Sequence, residues 1–257
     1  MSNFHLEIRI ISRGNESSVV QIANYISGVK LYDTYFNKTY YSKRNDVLFL
    51  QIFLPDNVPP KFNHLQKLCN EIDSAEKRYD AQTARQFIGS LPNELPFGEQ
   101  KQIVVEYINH NFVASGLCAI AAIHEGKNEF DPKKNNPHVH ILVSTRRIEP
   151  DGFNKIKDRE HNKKKYIRIW REQWAQVQNR AYERNGYDIR VSHESLEVQG
   201  ISRKPTIHLS RIDWEREMRG QSTIAGDKKR AIRERNMEHA RQHQIELERI
   251  HSNELSR

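Results

Sequence analysis

The stretch that most constrains this chain lies between residues 117 and 144. LCAIAAI, residues 117–123, is an unbroken apolar run that ends on His124. After the polar turn EGKNEFDPKKNNP, Val139, Ile141 and Val143 alternate with His138, His140, Leu142 and Ser144. A period of two is that of a β-strand, and residues two apart share a face. His138 and His140 therefore point one way and Val139 the other. If the two runs pair antiparallel across the turn, His124 comes beside the start of the second, and three imidazoles converge. A single histidine is ordinarily structural or solvated. Three neutral imidazoles with open positions left over suit a divalent ion that also binds a substrate oxygen. Lys133, Lys134, Arg146 and Arg147 flank this region and favour an anionic ligand, or else form an ordinary solvated loop.

The rest of the chain supplies helices and further strands. Phe4, Leu6, Ile8 and Ile10 alternate as an edge or half-buried strand. Residues 19–27 have helical spacing, with Ser17 or Ser18 as N-cap and Gly28 as the stop. Residues 30–45 read as a loop, and 47–54 (VLFLQIFL) as a buried strand ended by prolines. A long helix is predicted over 63–89, another over 99–115 stopped by Gly116, and a basic one over 161–185. Residues 187–192 read as a short strand. Antiparallel strands with helices between them give an α+β fold. From Arg211 to the end there are 11 Lys and Arg against 9 Asp and Glu and one Trp, a charged helical extension. The division expected is 1–210 and 211–257.

The chain has 257 residues and a formal charge of +8, which favours a polyanionic partner. Residues 154–190 hold 11 Lys and Arg against 5 Asp and Glu, most of that excess. HNKKKYIRIWREQW interleaves cations with Tyr166, Trp170 and Trp174, the combination used by single-strand grooves. The two tryptophans, four apart, are assigned to the core, leaving Lys163, Lys164 and Lys165 as nucleic-acid contacts. No signal peptide, membrane span, disulfide framework or CxxC pair is present, which fits a reduced cytoplasmic setting without membrane insertion. There is no nucleophilic serine elbow, HExxH helix or Walker loop. Metal-assisted hydration and phosphodiester cleavage both remain open to a three-histidine site, and the second needs a nucleophile. Tyr25, Tyr32, Tyr35, Tyr40 and Tyr41 crowd the N-terminal part. A tyrosine can attack a phosphodiester and hold it covalently. Tyr25 falls in the last turn of the expected helix, where its ring is anchored; the others fall in the loop.

Five blocks in order carry a resemblance. They are FHLEIRIISR with SSVVQIANYISG, KTYYSKRNDVLFLQIFLP, AEKRYDAQTARQFIGSLPNEL, IHEGKNEFDPKKNNPHVHILVSTR, and SLEVQGISRKPTIHLS. Together they resemble the MobA/MobL family of plasmid mobilisation relaxases, which are HUH endonucleases, over residues 3–236. Asn24 replaces an alanine of the family pattern, and residues 128–134 lengthen its turn. The resemblance implies an HUH relaxase fold with HxH on a central strand. It implies Tyr25 as nucleophile, His124, His138 and His140 as metal ligands, and Glu76 as orienter of a ligand histidine or proton acceptor. The DNA contacts expected are Lys163, Lys164, Lys165, Arg146 and Arg147. The implied activity is a site- and strand-specific DNA transesterase that nicks and religates an origin of transfer through a 5′-phosphotyrosine. The implied cofactor is a divalent ion, Mn²⁺ or Mg²⁺ before Zn²⁺, Ni²⁺ or Co²⁺. The implied partners are single-stranded origin DNA, accessory mobilisation proteins and a coupling protein. A rolling-circle initiator shares the chemistry, but its tyrosine follows the HxH strand, whereas Tyr25 precedes it. An inactive single-strand binder and a small-molecule metallohydrolase are the remaining rivals.

Overall fold

The computed structural model describes residues 4–56, 58–128, 131–207 and 209–254. Glu129 and Phe130 of the expected turn, the Lys134 side chain, His208 and the last three residues of the extension lie outside the described residues. The chain falls into two compact units, Met1–His193 and Glu194–Arg257.

The first unit is built on an antiparallel sheet. Its strands are β1 (Leu6–Ser12), β4 (Val47–Phe53), β5 (Gln82–Ser90), β6 (Leu117–His124) and β7 (His138–Glu149), in the order β1-β5-β7-β6-β4. A short β8 (Gly152–Phe153) returns from β7 through the Asp151–Gly152 turn. The HxH strand is therefore central, flanked by β5 and β6. Its alternation divides the core. Val139, Ile141 and Val143 pack with Phe87, Ala119, Ala121 and Ile123 against α3 (Phe97–Asn111) and α4 (Lys165–Arg184). Leu142 packs with Ala84, Cys118, Ile120 and Ala122 against α1 (Val19–Ser27) and α2 (Leu65–Ser74). Trp170 and Trp174 are buried in the first of these layers, as their four-residue spacing requires.

Local chemistry sets the ends of α1. The Ser18 side chain accepts from Gln21 N at 3.0 Å, and Gly28 closes the helix at φ 70° with its N–H on Asn24 O. The β6–β7 hairpin is closed where Asn136 N donates to Gly126 O at 2.8 Å. A Cβ at position 126, where φ is +57°, would stand 2.0 Å from the Asn136 carbonyl oxygen, so only glycine fits.

Four expectations change. The helix predicted over 63–89 ends at Ser74, and 82–90 is the inner strand β5. Thr83 and Phe87 misled because a spacing of four keeps one face of a helix and one face of a strand alike. The stretch 47–54 is an edge strand that leaves Leu48 and Leu50 exposed. The loop at 30–45 contains a small hairpin, β2 (Leu31–Asp33) with β3 (Lys38–Tyr40). No strand forms over 187–192: the Asn179 amide of α4 bonds both the N–H and the carbonyl of Val191, taking the place of a strand partner.

The second unit carries α5 (Arg211–Met218) and α6 (Ile224–Glu254). Ser210 caps α5 through Asp213 N at 3.1 Å, and Asn236 of α6 pairs with both backbone groups of Lys204 at 2.8 Å. Among the described residues no helix is long and apolar enough to cross a membrane.

Candidate functional site

Strand register brings the three histidines together. His124 at the end of β6 stands opposite His138 at the start of β7, and His140 stands opposite Ala122. Ring centroids are 5.2 Å apart for His124–His138, 4.8 Å for His124–His140 and 5.2 Å for His138–His140. One nitrogen from each lies within 4.8 Å of the others.

Each ring is pinned through one nitrogen. His124 Nε2–H donates to Ile26 O at 2.7 Å, and His138 Nδ1–H donates to Asn136 O at 2.8 Å. A carbonyl can only accept, so the lone pair is fixed on His124 Nδ1 and His138 Nε2. His124 Nδ1 is buried with no hydrogen-bond partner among the described residues, as a nitrogen reserved for a ligand would be. The Gln86 carboxamide of β5 meets His140 Nδ1 at 3.2 Å. Burial, then the charges of His124, His138, Arg44 and Arg9, pushes the His140 imidazole down to about 3. Burial, together with Arg44 and His138, also lowers His124 despite its bond to Ile26. Both rings are thereby kept in the neutral form that binds a metal. The orphaned nitrogen, the short mutual distances and the neutral rings fit a divalent ion.

Tyr25 sits on the last turn of α1, 51% exposed, with its ring edge-on to His140 at a centroid distance of 6.1 Å. The next residue, Ile26, supplies the carbonyl that holds His124, so one helix end carries the phenol and fixes a ligand ring. Tyr32 instead bonds Asn37, and Tyr35 lies under Arg13 and against Phe36.

Glu76 does not join the histidines. It lies in the turn after α2, 8% exposed. Arg146 holds it at 2.9 and 3.1 Å, Thr145 Oγ1 donates to it at 3.2 Å, and Lys157 Nζ is 3.3 Å away. Thr145 is five residues beyond His140 on β7, about 16 Å at strand rise. A carboxylate bonded there cannot also orient His140. Arg146 spends four of its five N–H donors within the protein, because Nη1 also bonds Asn154 O and Lys155 O. Arg147 keeps 58% of its side chain exposed, 3.7 Å from Asp158. Lys163 and Lys165 are exposed on Glu160 at 2.5 and 2.7 Å, and Lys164 is exposed beside them. Sequence reasoning missed Gln86, hidden inside the helix expected over 63–89, and Arg44 with Asp46, hidden inside the expected loop and its join to β4.

An antiparallel sheet carrying a clustered histidine triad on its central strands, with helices on both faces, is the architecture of the HUH conjugative relaxases. The conjugative relaxase TrwC bound to oriT DNA and metal superposes at a TM-score of 0.50 with 12% identity, each chain covered to 89%. The chain belongs to the MobA/MobL family, whose model matches residues 17–213. It is 28% identical over 251 residues to a probable mobilization protein MobA of Bifidobacterium longum, covering 81% of this chain and 43% of that protein. It is 34% identical over 155 residues to mobilization protein A of Escherichia coli, covering 54% of this chain and 21% of that protein. A structure from work on vancomycin resistance transfer in Staphylococcus aureus matches at a TM-score of 0.67 and 26% identity, over 76% of this chain and 100% of that one. The chain thus spans less than half the length of either of those two mobilization proteins.

Proposed function

We propose that this chain is a metal-dependent DNA relaxase that nicks and rejoins one strand at a plasmid origin of transfer. Residues 1–210 would carry the reaction, and 211–257 would be an accessory helical extension. The observation that carries the reading is the exposed Tyr25 ring set edge-on to His140, one residue ahead of the carbonyl that pins His124.

Single-stranded DNA would lie with its scissile phosphate between the Tyr25 hydroxyl and the three imidazoles. A divalent ion held by His124, His138 and His140 would draw charge from a non-bridging phosphate oxygen. The Tyr25 oxygen attacks phosphorus as its proton passes to a base. The new O–P bond forms while the P–O3′ bond breaks, and the 3′ oxygen takes up a proton. The products are a free 3′ hydroxyl and a 5′ phosphate on Tyr25. Because one phosphodiester replaces another, the reverse attack by the 3′ hydroxyl rejoins the strand without ATP. Lys163, Lys164, Lys165 and Arg147 would follow the DNA backbone, and accessory mobilisation and coupling proteins would act with it. The ions that fit the reading are Mn²⁺ and Mg²⁺ ahead of Zn²⁺, Ni²⁺ and Co²⁺.

The test is incubation with Mn²⁺ and single-stranded oligonucleotides tiling the transfer region of the plasmid that encodes the chain. Wild type should form a covalent adduct that maps to the Tyr25 peptide and disappears with EDTA. Tyr25→Phe should bind the same DNA and form none. An adduct on Tyr32 or Tyr35, or one that persists in Tyr25→Phe, would refute the assignment.

A further inference from the structure

A tyrosine half-exposed on the last turn of a helix has rotamers to spare, yet attack on a phosphate needs one of them. Something must hold the ring. The Arg44 guanidinium lies 4.9 Å from the Tyr25 ring centroid, within cation–π range, and its Nη1 donates to the Tyr25 carbonyl at 3.4 Å. Its own orientation is fixed, because Nε and Nη2 bond the two oxygens of Asp46 at 2.8 and 2.6 Å. A two-point fork of this kind sets the plane of the guanidinium as well as its position.

Both ends of this bracket are anchored. The Asp46 carbonyl accepts from Glu125 N at 2.8 Å, the residue directly after His124, and neighbouring Val47 pairs with His124. On the helix side, the chain passes so close at Gly28 that a Cβ there would lie 3.2 Å from Arg44 Cβ. The hydrogen bonds from Arg44 hold the Asp46 carboxyl near 2, against the effect of its burial. The Arg44 side chain is only 17% exposed, unlike the solvated surface pairs that contribute little.

Given Tyr25 as the nucleophile, on which this rests, we propose that Arg44 is a positioning residue that locks the Tyr25 ring against the histidine cluster. It links the helix end bearing the phenol to the strand end bearing His124. Asp46 acts through it by fixing the fork. A displacement of the attacking oxygen by about 1 Å can cost 100-fold in rate.

The experiment is single-turnover adduct formation with the oligonucleotide cleaved by wild type, at saturating DNA and Mn²⁺, alongside separate titrations of DNA and Mn²⁺ binding. Arg44→Ala is expected to slow adduct formation by about 10–100-fold with little change in either binding constant. Arg44→Lys, which keeps the charge and the stem, should also be slow, because an ammonium cannot make the two-point contact. Asp46→Asn should fall between these and wild type. Added ethylguanidinium should restore part of the Arg44→Ala rate. A loss confined to DNA affinity, or unchanged saturating rates in both Arg44 variants, would overturn this inference alone. A wild type that forms no adduct on Tyr25 would overturn it together with the function it rests on.

Discussion

Replacing Glu76 with Gln separates a structural clamp from a metal-supporting carboxylate. The variant keeps the shape of the side chain and removes the charge that Arg146 and Lys157 face. A hydrogen bond to a charged group contributes about 1.5–3 kcal/mol net, and breaking a fully buried ion pair costs about 3–5 kcal/mol. Here Arg146 and Lys157 keep 15% and 18% of their side chains exposed, so water recovers part of the loss. A cost of about 2 kcal/mol follows. For a unit the size of Met1–His193, that lowers Tm by about 4–8 °C. Burial alone would raise the Glu76 carboxyl, but the bonds and charges of Arg146 and Lys157 hold it below its ordinary value. A carboxyl lowered in the folded state contributes stability that is present above its unfolded pKa and lost as pH falls through the folded one. The lead of wild type over the variant should therefore be full at neutral pH and shrink once pH drops below about 4.3. Thermal unfolding followed by circular dichroism across pH, with calorimetric titration of Mn²⁺, measures both sides. A Tm equal to wild type with a tenfold weaker Mn²⁺ affinity would refute the clamp and return Glu76 to the metal.

Two further predictions concern the site and its substrate. Gln86→Ala should weaken Mn²⁺ binding about 10–100-fold by calorimetry, since it removes the group that meets His140 Nδ1; unchanged affinity would leave Gln86 as packing. Changing Lys163, Lys164 and Lys165 together to Ala should flatten the salt dependence of single-strand binding by up to about two units of slope. An unchanged slope would mean that the run only faces solvent.

The histidine cluster was legible because strand periodicity is short-ranged. HVH fixes its own face, and the hairpin needs only that the two apolar runs pair, which sets His124 opposite His138. Capping chemistry at Ser18 and Gly28 was equally local, and it located Tyr25 on the last turn of α1. The partners that reach across the fold were not legible, because they come from segments distant in sequence. Gln86 reaches His140 only through the β5–β7 pairing, 54 residues apart. Glu76 meets Arg146 across 70 residues. Reading 82–90 as helix concealed both relations at once, since on a helix neither Gln86 nor the turn holding Glu76 would lie beside β7.

The β6–β7 hairpin is closed below its tip rather than at it. Gly126 and Asn136 meet backbone to backbone below the tip, and Asn128 N is tied again to the Asn135 side chain at 2.8 Å. The two ligand-bearing strand ends are therefore buckled together independently of what lies above. The tip can gain or lose residues without transmitting the change to His124 or His138. It is a tolerant place to graft a fluorophore or an affinity peptide. A single methyl group at position 126 would undo that insulation from beneath.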